Sequence, residues 1–335
     1  MSVTLLSNDV EPATPIPALH QLYGTSPIGH PHPRFSATVP REFVHRASVA
    51  EVLLTGWLPL EDDRFLAAAQ WPRAHSYFTS TCGMRYDPTL IAETVRQLGT
   101  LLAHAEYEVP LDSHFLMSEL RFSCDPGQLR VLGKPAELSL AAGISGIRRS
   151  GRQLSAFDVD VEIVRDGRPV GSGHAKASIL RPGVYRRLRA GRSAPEPEAA
   201  GPLPEPVAPA LVDRRYAPDV VLSPGGEPGR WLLRADQRHP ILFEHPNDHI
   251  PGMVMLEAAR QIALLLVPGG TAVEAENSFL RYVEFDSPCV IEAEERPAAD
   301  PAHTAVHVRA EQDGRTVFTS TMTLARPDTA VRRAS

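Results

Sequence analysis

The chain has 335 residues, of which 43% are hydrophobic and 22% are charged, and its formal net charge is −6. This composition is typical of a soluble globular protein, the length favours two domains, and the negative charge gives no support to a nucleic-acid partner. The sequence contains no apolar run of about eighteen residues, and its three cysteines have neither metal-ligand spacing nor the even count of a disulfide framework. We therefore expect a cytoplasmic protein that does not contact a membrane.

The first half of the chain predicts one long helix followed by antiparallel strands. Residues 1–40 are rich in Pro and His and lack apolar periodicity, so we expect a loosely ordered arm before a first domain at 41–185. Asp87-Pro88 is a typical helix start, and apolar spacing extends that helix to about residue 105. Strands are predicted at 65–70, 115–124, 136–142, 154–164 and 170–180.

The second half repeats this plan after a linker. Residues 186–209 are rich in Pro, Ala, Glu and Arg and predict a linker without a packed core. A second domain is expected at 210–326 and a flexible tail at 327–335. Its predicted elements are a strand near 231–235, a His-rich loop, a helix at about 251–266, and strands at 279–285, 289–294, 304–312 and 316–324.

Several strings recur in the same order in both halves. Glu93-Thr-Val-Arg96-Gln97 is repeated as Glu257-Ala-Ala-Arg260-Gln261, and each glutamate follows a histidine by eighteen residues. Further echoes pair Leu120-Arg121-Phe122 with Leu280-Arg281-Tyr282, and the hairpin signal Asp166-Gly167 with Asp313-Gly314. The sequence therefore predicts an α+β double hotdog fold, with two repeats that each wrap an antiparallel sheet around a long central helix. The chemistry of such a fold is expected between the halves.

Two segments resemble a known family. The string from His245 to Gln261, with Pro251-Gly252 and Glu257 inside it, and the first-half string at 44–54 are similar to the A-factor biosynthesis family of actinobacterial double hotdog proteins. The resemblance covers about residues 41–325. It implies transfer of a β-ketoacyl group from acyl carrier protein to the hydroxyl of dihydroxyacetone phosphate, without a cofactor. This would be the committing step towards γ-butyrolactone or butenolide-type signalling molecules that control secondary metabolism.

An acyl transfer to an alcohol needs a base, an oxyanion donor and a site for the acceptor's phosphate. Glu257 and Arg260 lie three residues apart and share a helix face, so we assign Glu257 as the base and Arg260 as the phosphate anchor, with Gln261 beside them. Gly252 would let the backbone approach the thioester, and the free N–H groups of that helix start could hold the oxyanion. The alternative is that Glu257 and Arg260 form only a structural ion pair.

Other candidates lie in the first half and in the His-rich loop. Glu93 could act catalytically across the interface between the halves, and Arg96 could bind substrate or be a relic of the duplication. His245, Asp248 and His249 are expected to orient substrate or assist proton transfer, although such residues also make ordinary loop hydrogen bonds. Pro246 interrupts any helical ligand face, so no metal site is predicted.

Two other classes of function stay open at this level. A hotdog thioesterase or dehydratase could use Glu257 with water, but neither reaction needs the phosphate anchor that Arg260 would supply. A noncatalytic regulator could instead bind a lactone in the same tunnel. The sequence leaves open the acyl chain length, the oligomeric state, and whether one or both halves hold a site.

Overall fold

The computed structural model describes residues 35–189, 192 and 202–326. Most of the expected N-terminal arm, the middle of the expected linker and the whole expected tail lie outside these residues. In the part of the chain that is described, no helix is both long enough and apolar enough to cross a membrane.

Two long helices form the centre of the molecule, α1 (Thr89–Ala105) and α3 (Gly252–Leu266), and a short helix, α2 (Pro182–Leu188), lies between them in the chain. α1 begins at Thr89, one residue after the predicted first helical position Pro88. Asp87 still supports this start, because its carboxylate accepts hydrogen bonds from the Thr89 amide (3.0 Å) and hydroxyl (2.7 Å). Pro251 precedes α3 and provides no such side-chain bond. Both long helices are almost entirely buried.

Within the described residues, twelve strands form one antiparallel sheet. Their order is β1-β2-β4-β5-β6-β3-β9-β12-β11-β10-β8-β7, and the halves join where β3 pairs with β9. The bounds are β1 (Leu54–Pro59), β2 (Arg64–Trp71), β3 (His114–Cys124), β4 (Ala136–Ser150), β5 (Gln153–Arg165), β6 (Arg168–Leu180), β7 (Leu222–Pro224), β8 (Arg230–Leu233), β9 (Thr271–Phe279), β10 (Cys289–Pro297), β11 (His303–Gln312) and β12 (Arg315–Ala325).

Each first-half strand has a counterpart in the second half. When counterparts are exchanged, the strand order is the same whether it is read from one edge of the sheet or from the other. Each half packs its sheet against its own long helix, with β5 and β6 on α1 and β11 and β12 on α3. The predicted double hotdog fold is therefore confirmed. The duplication places both glutamate motifs on the two central helices, near the boundary between the halves.

The structure corrects two details in the second half. The strand predicted at 279–285 is wrong, because β9 ends at Phe279 and Val283 forms only an isolated bridge to Ile250. The echo of Phe122 in Tyr282 is also not structural. Phe122 of β3 pairs with Gly173 of β6. In the second half, the residue of β9 that makes the corresponding pair with β12 is Asn277, so Asn277 and not Tyr282 is the counterpart of Phe122.

Candidate active site

A cavity of about 800 Å³ lies between the two halves. The first half contributes His45, Glu93 and Arg96, and the second half contributes His245 and the start of α3 at Gly252. The remaining wall is largely apolar and includes Phe115, Phe157, Val159, Met255, Phe279 and Phe318. A cleft of this size, apolar with a few converging polar groups, is the usual form of a small-molecule site.

The polar end of the cavity is formed by Arg46, Glu93 and Arg96. Together with the fully buried Gln97, which does not line the cavity, they make up a set of four side chains that we call the first-half cluster. Arg96 binds both carboxylate oxygens of Glu93, with Nε at 2.9 Å and Nη2 at 2.8 Å, and the Gln97 amide donates at 2.7 Å. Arg46 donates from Nε at 3.1 Å. Burial acts to raise the pKa of Glu93, but the charges of Arg46 and Arg96 outweigh it and hold that pKa far below its usual range.

The second half contains the same arrangement, which we call the second-half cluster: Arg214, Glu257, Arg260 and Gln261. Arg214 bonds Glu257 from Nε (2.9 Å) and Nη2 (2.7 Å), and Arg260 bonds it from Nε and Nη2, both at 2.9 Å. Gln261 also donates to the Asp219 carbonyl at 2.9 Å and accepts from the Val221 amide at 3.1 Å.

The first-half cluster makes the corresponding backbone bonds. Gln97 donates to the Glu51 carbonyl at 2.8 Å and accepts from the Leu53 amide at 2.9 Å. Arg96 reaches the carbonyl of Val44, just as Arg260 reaches that of Val212. Both Glu-x-x-Arg-Gln motifs therefore fasten a central helix to the turns that precede the first strand of their half. This shared role is structural.

The two clusters differ in access. Asp87, from the first half, closes the second-half cluster, because its carboxylate lies 3.1 Å from Arg214 Nη1 and 3.4 Å from Arg260 Nε. The guanidinium of Arg214 also lies over the Tyr77 ring, 4.2 Å from its centroid. Glu257 and Arg260 have side chains only 2% and 5% exposed. Neither they nor Gln261 lines the cavity, so the structure does not bring these three sequence candidates to it.

The first-half cluster stays open because, within the described residues, Arg96 contacts no carboxylate besides that of Glu93. Asp87 stands six residues before Glu93, and Pro251 stands at the same distance before Glu257. Pro251 has no charge to offer, and Arg96 keeps 20% of its side chain exposed. The hydrogen bonds of Arg96 all use Nε and Nη2, and its Nη1 has no hydrogen-bond partner among the described residues. One edge of a fixed guanidinium therefore faces the cavity.

Gly252 permits the close approach of α3 to this wall. A Cβ built on Gly252 would lie 2.9 Å from the Phe279 ring and 3.5 Å from the Met117 methyl, so a larger residue would push these groups apart. The first hydrogen bond of α3 runs from the Val254 amide to the Pro251 carbonyl at 3.0 Å. The amides of Gly252 and Met253 precede it and lie at the cavity.

The loop residues have different surroundings. His245 lines the cavity with 49% of its side chain exposed, and its Nδ1 lies 3.8 Å from Glu244, which pairs with Arg46 at 3.1 Å. Asp248 instead accepts from the Tyr185 hydroxyl at 2.6 Å and from Arg189 Nε at 3.0 Å. It therefore ties the loop to α2.

His249 lines the cavity and contacts the Asp248 carboxylate at 2.7 Å. Burial lowers the pKa of His249 despite that carboxylate. Within the described residues, no group of three His, Cys, Asp or Glu side chains converges as a metal site would require.

Sequence reasoning missed His45, Arg46 and Arg214. His45 has a left-handed backbone (φ 53°) after the turn Arg41–Val44, and its Nε2 lies 2.8 Å from Nε2 of His104. Burial, with His104 beside it, lowers the pKa of His45 to about 3, so the ring is neutral. A signal was available for the two arginines, because each follows a valine by two residues, at Val44 and Val212, in a turn that precedes the first strand of its half.

Comparison with known proteins identifies relatives over most of the chain. The family model for the A-factor biosynthesis hotdog domain matches residues 30–181 and 196–326. A protein of Streptomyces virginiae named 2-oxo-3-(phosphooxy)propyl 3-oxoalkanoate synthase is 48% identical over 287 residues, which are 84% of this chain and 96% of that protein. A protein of the same name from Streptomyces coelicolor is 41% identical over 286 residues, 85% of this chain and 90% of that one.

Solved structures are more distant. A putative oleoyl thioesterase from Lactobacillus plantarum superposes with a TM-score of 0.48 and 11% identity, covering 78% of this chain and 97% of that one.

Proposed function

The chain belongs to the A-factor biosynthesis hotdog family, and from that premise we propose that it is an acyltransferase, a 2-oxo-3-(phosphooxy)propyl 3-oxoalkanoate synthase like its relatives. The acyl donor is a β-ketoacyl thioester of acyl carrier protein, and the acceptor is dihydroxyacetone phosphate. The acceptor's hydroxyl oxygen forms a bond to the thioester carbon, the C–S bond breaks, and the products are a phosphorylated β-ketoester and the carrier thiol. The reaction commits the acyl chain to a γ-butyrolactone or butenolide-type signal.

The observation that carries this proposal is the free guanidinium edge of Arg96 at one polar end of a cavity that also has a large apolar wall. A guanidinium binds phosphate oxygens through directed, charge-assisted hydrogen bonds. Glu93 is ionised and bonded to three side chains, so we assign it to hold Arg96 in orientation. The acceptor's phosphate binds Arg96, and the acyl chain occupies the apolar wall. The phosphate role assigned from sequence to Arg260 thus falls to its first-half counterpart.

The start of α3 suits the developing oxyanion. The amides of Gly252 and Met253 are unused by the helix, and the positive end of the helix dipole favours negative charge there. A donor placed at an oxyanion is worth about 3 kcal/mol in the transition state. We assign these two amides to the carbonyl oxygen of the thioester, while its carbon faces the bound acceptor.

His245 is the group placed to move the proton. Its imidazole lies at the cavity with its Nδ1 3.8 Å from Glu244, and histidine is the side chain that most often takes up a proton in such a step. The same proton then passes to the departing thiolate, so the reaction leaves the enzyme unchanged. Glu257 cannot serve as this base, because it does not reach the cavity and its carboxylate is bonded to two guanidinium groups.

Mass spectrometry of an incubation with β-ketoacyl carrier protein and dihydroxyacetone phosphate tests this function. The expected product is the phosphorylated β-ketoester or its cyclised butenolide. It should be reduced strongly in Arg96→Ala and His245→Ala but retained in the control Arg168→Ala, at the exposed first residue of β6. Free β-keto acid formed regardless of the acceptor would identify a thioesterase. Binding of a lactone without turnover of either substrate would identify a regulator.

A further inference from the structure

Five exposed arginines lie at one end of the first half, and we call them the arginine surface: Arg148 and Arg152 around the β4–β5 turn, and Arg181, Arg186 and Arg187 at α2. Arg181 Nη2 contacts the Ser150 carbonyl at 3.4 Å, which joins the two elements. In the described part of the chain, none of the five lies within 4.0 Å of a carboxylate. This local excess of positive charge stands out in a chain with a net charge of −6.

Apolar side chains lie among these arginines. Val184 and Leu188 on the outer side of α2 are 39% and 56% exposed. Two acids at the C-terminal end of this helix, Asp248 and Glu284, are both paired with the buried Arg189 and do not contact the five arginines. A surface that combines exposed aliphatic groups with unpaired arginines is complementary to an acidic protein with an apolar contact point.

The inner side of α2 forms part of the cavity. Tyr185 lines it, stacks on His114 with ring centroids 3.7 Å apart, and donates to Asp248 at 2.6 Å. The helix is therefore the rim of the cavity, with the arginine surface outside and the acyl site inside. A protein bound to the outer side would lie next to the opening through which a tethered acyl group must enter.

We propose that the arginine surface is the docking site for the acidic acyl carrier protein. This proposal rests on the proposed function, which requires a donor held on a carrier. The arginines attract the carrier's acidic surface, Val184 and Leu188 make the apolar contact, and α2 sets the distance from the docked carrier to the thioester site. The surface acts on delivery of the acyl group and not on its transfer.

The test compares two double variants with equal charge change, Arg186→Glu/Arg187→Glu on α2 and Arg168→Glu/Arg315→Glu at the exposed first residues of β6 and β12, beside the hairpin turns. Each is assayed with the carrier-bound thioester and with the N-acetylcysteamine thioester, which needs no docking. The α2 variant is expected to lose about tenfold or more in kcat/KM with the carrier-bound donor alone, since rim charges govern association. The hairpin variant should be unchanged with both donors.

Two results would overturn the docking proposal: an equal loss with both donors, or no loss with the carrier-bound donor. If the wild-type protein turns over neither donor, the proposed function fails, and fluorescence anisotropy with a labelled carrier protein then tests the surface alone. Binding that is weakened by the α2 variant and kept by the hairpin variant supports docking. Equal binding by wild type and both variants refutes it.

Discussion

The first-half and second-half clusters contain the same four residue types and share the hydrogen bonds that two arginines and a glutamine make to the central glutamate, yet one faces a cavity and the other is sealed. The difference comes from the opposite half. Asp87 supplies a carboxylate to Arg214 and Arg260, whereas Pro251, at the same distance from its glutamate, supplies none to Arg96. The repeated motif therefore has a shared structural role in both halves. A single residue of the opposite half decides whether the motif is also accessible to a substrate.

The sealed cluster should matter more for stability. We expect Glu257→Ala to lower the free energy of unfolding by about 3–5 kcal/mol, because it leaves buried guanidinium groups without enough compensating charge. Glu93→Ala should cost clearly less, since Arg96 is partly solvated and Glu244 still pairs with Arg46. Urea denaturation of both variants measures the difference. Equal losses would mean that the two clusters are equally closed.

The open cluster should matter more for the acceptor. Arg96→Met is expected to raise the KM for dihydroxyacetone phosphate about 10- to 100-fold, the loss of a hydrogen bond to a charged group worth about 1.5–3 kcal/mol. Steady-state kinetics with the N-acetylcysteamine donor measures it without the carrier. Asp87→Asn, which perturbs the other cluster, serves as the control and should leave that KM unchanged. A rise in the control alone would move the acceptor site to the second half.

The difference between the clusters can be removed by giving the first-half cluster its own acid. Pro251→Asp places a carboxylate at the position equivalent to Asp87, where it should compete with phosphate for Arg96 and raise the acceptor's KM about tenfold. The fold should be retained, because Asp is favourable before a helix. Pro251→Asn is the uncharged match, and the same KM in both variants would show that the charge is irrelevant.

Lowering the pH should also reduce the stability that the sealed second-half cluster contributes, by less than the substitutions above change stability or KM. Burial acts to raise the pKa values of Glu257 and Asp87, but Arg214 and Arg260 outweigh it and lower both. Carboxylates with lowered pKa values stabilise the fold above their ordinary pKa values of 4.5 and 3.8, and this contribution is lost as the pH falls through the lowered values. Each unit of lowering is worth about 1.4 kcal/mol.

Chemical denaturation between about pH 3 and 6 should therefore show a steeper loss of stability for the wild type than for Asp87→Asn, which has one such carboxylate fewer. Glu93→Gln tests the first-half carboxylate in the same way. Parallel curves for wild type and Asp87→Asn would contradict the charge pairing that seals the second-half cluster.

The fold could be predicted where local signals are strong. The Asp87 cap, the Asp-Gly turns and the apolar spacing of the long helices gave the plan of both halves, because each is encoded within a few neighbouring residues. Strand β9 was misplaced, since its sequence Thr-Ala-Val-Glu-Ala-Glu-Asn-Ser-Phe alternates but is poor in branched and aromatic residues. Its place in the centre of the sheet comes from pairing with β3 and β12.

The candidate site was only partly predictable for a different reason. Among the residues predicted from the sequence, Glu93, Arg96, His245 and Gly252 line the cavity, whereas Glu257 and Arg260 do not. Local spacing is identical in the two motifs, so it cannot distinguish them. The distinction depends on Asp87, which pairs across the interface with Arg214 and Arg260, residues more than a hundred positions away in the chain.

Equilibrium binding of dihydroxyacetone phosphate, followed by calorimetry, is the most direct test of where the acceptor site lies. The wild type should bind one molecule per chain, Arg96→Met should lose that binding, and Arg260→Lys, measured below its melting temperature, should keep it. Two bound molecules per chain, or binding lost in Arg260→Lys and kept in Arg96→Met, would contradict the assignment of the site to the first-half cluster.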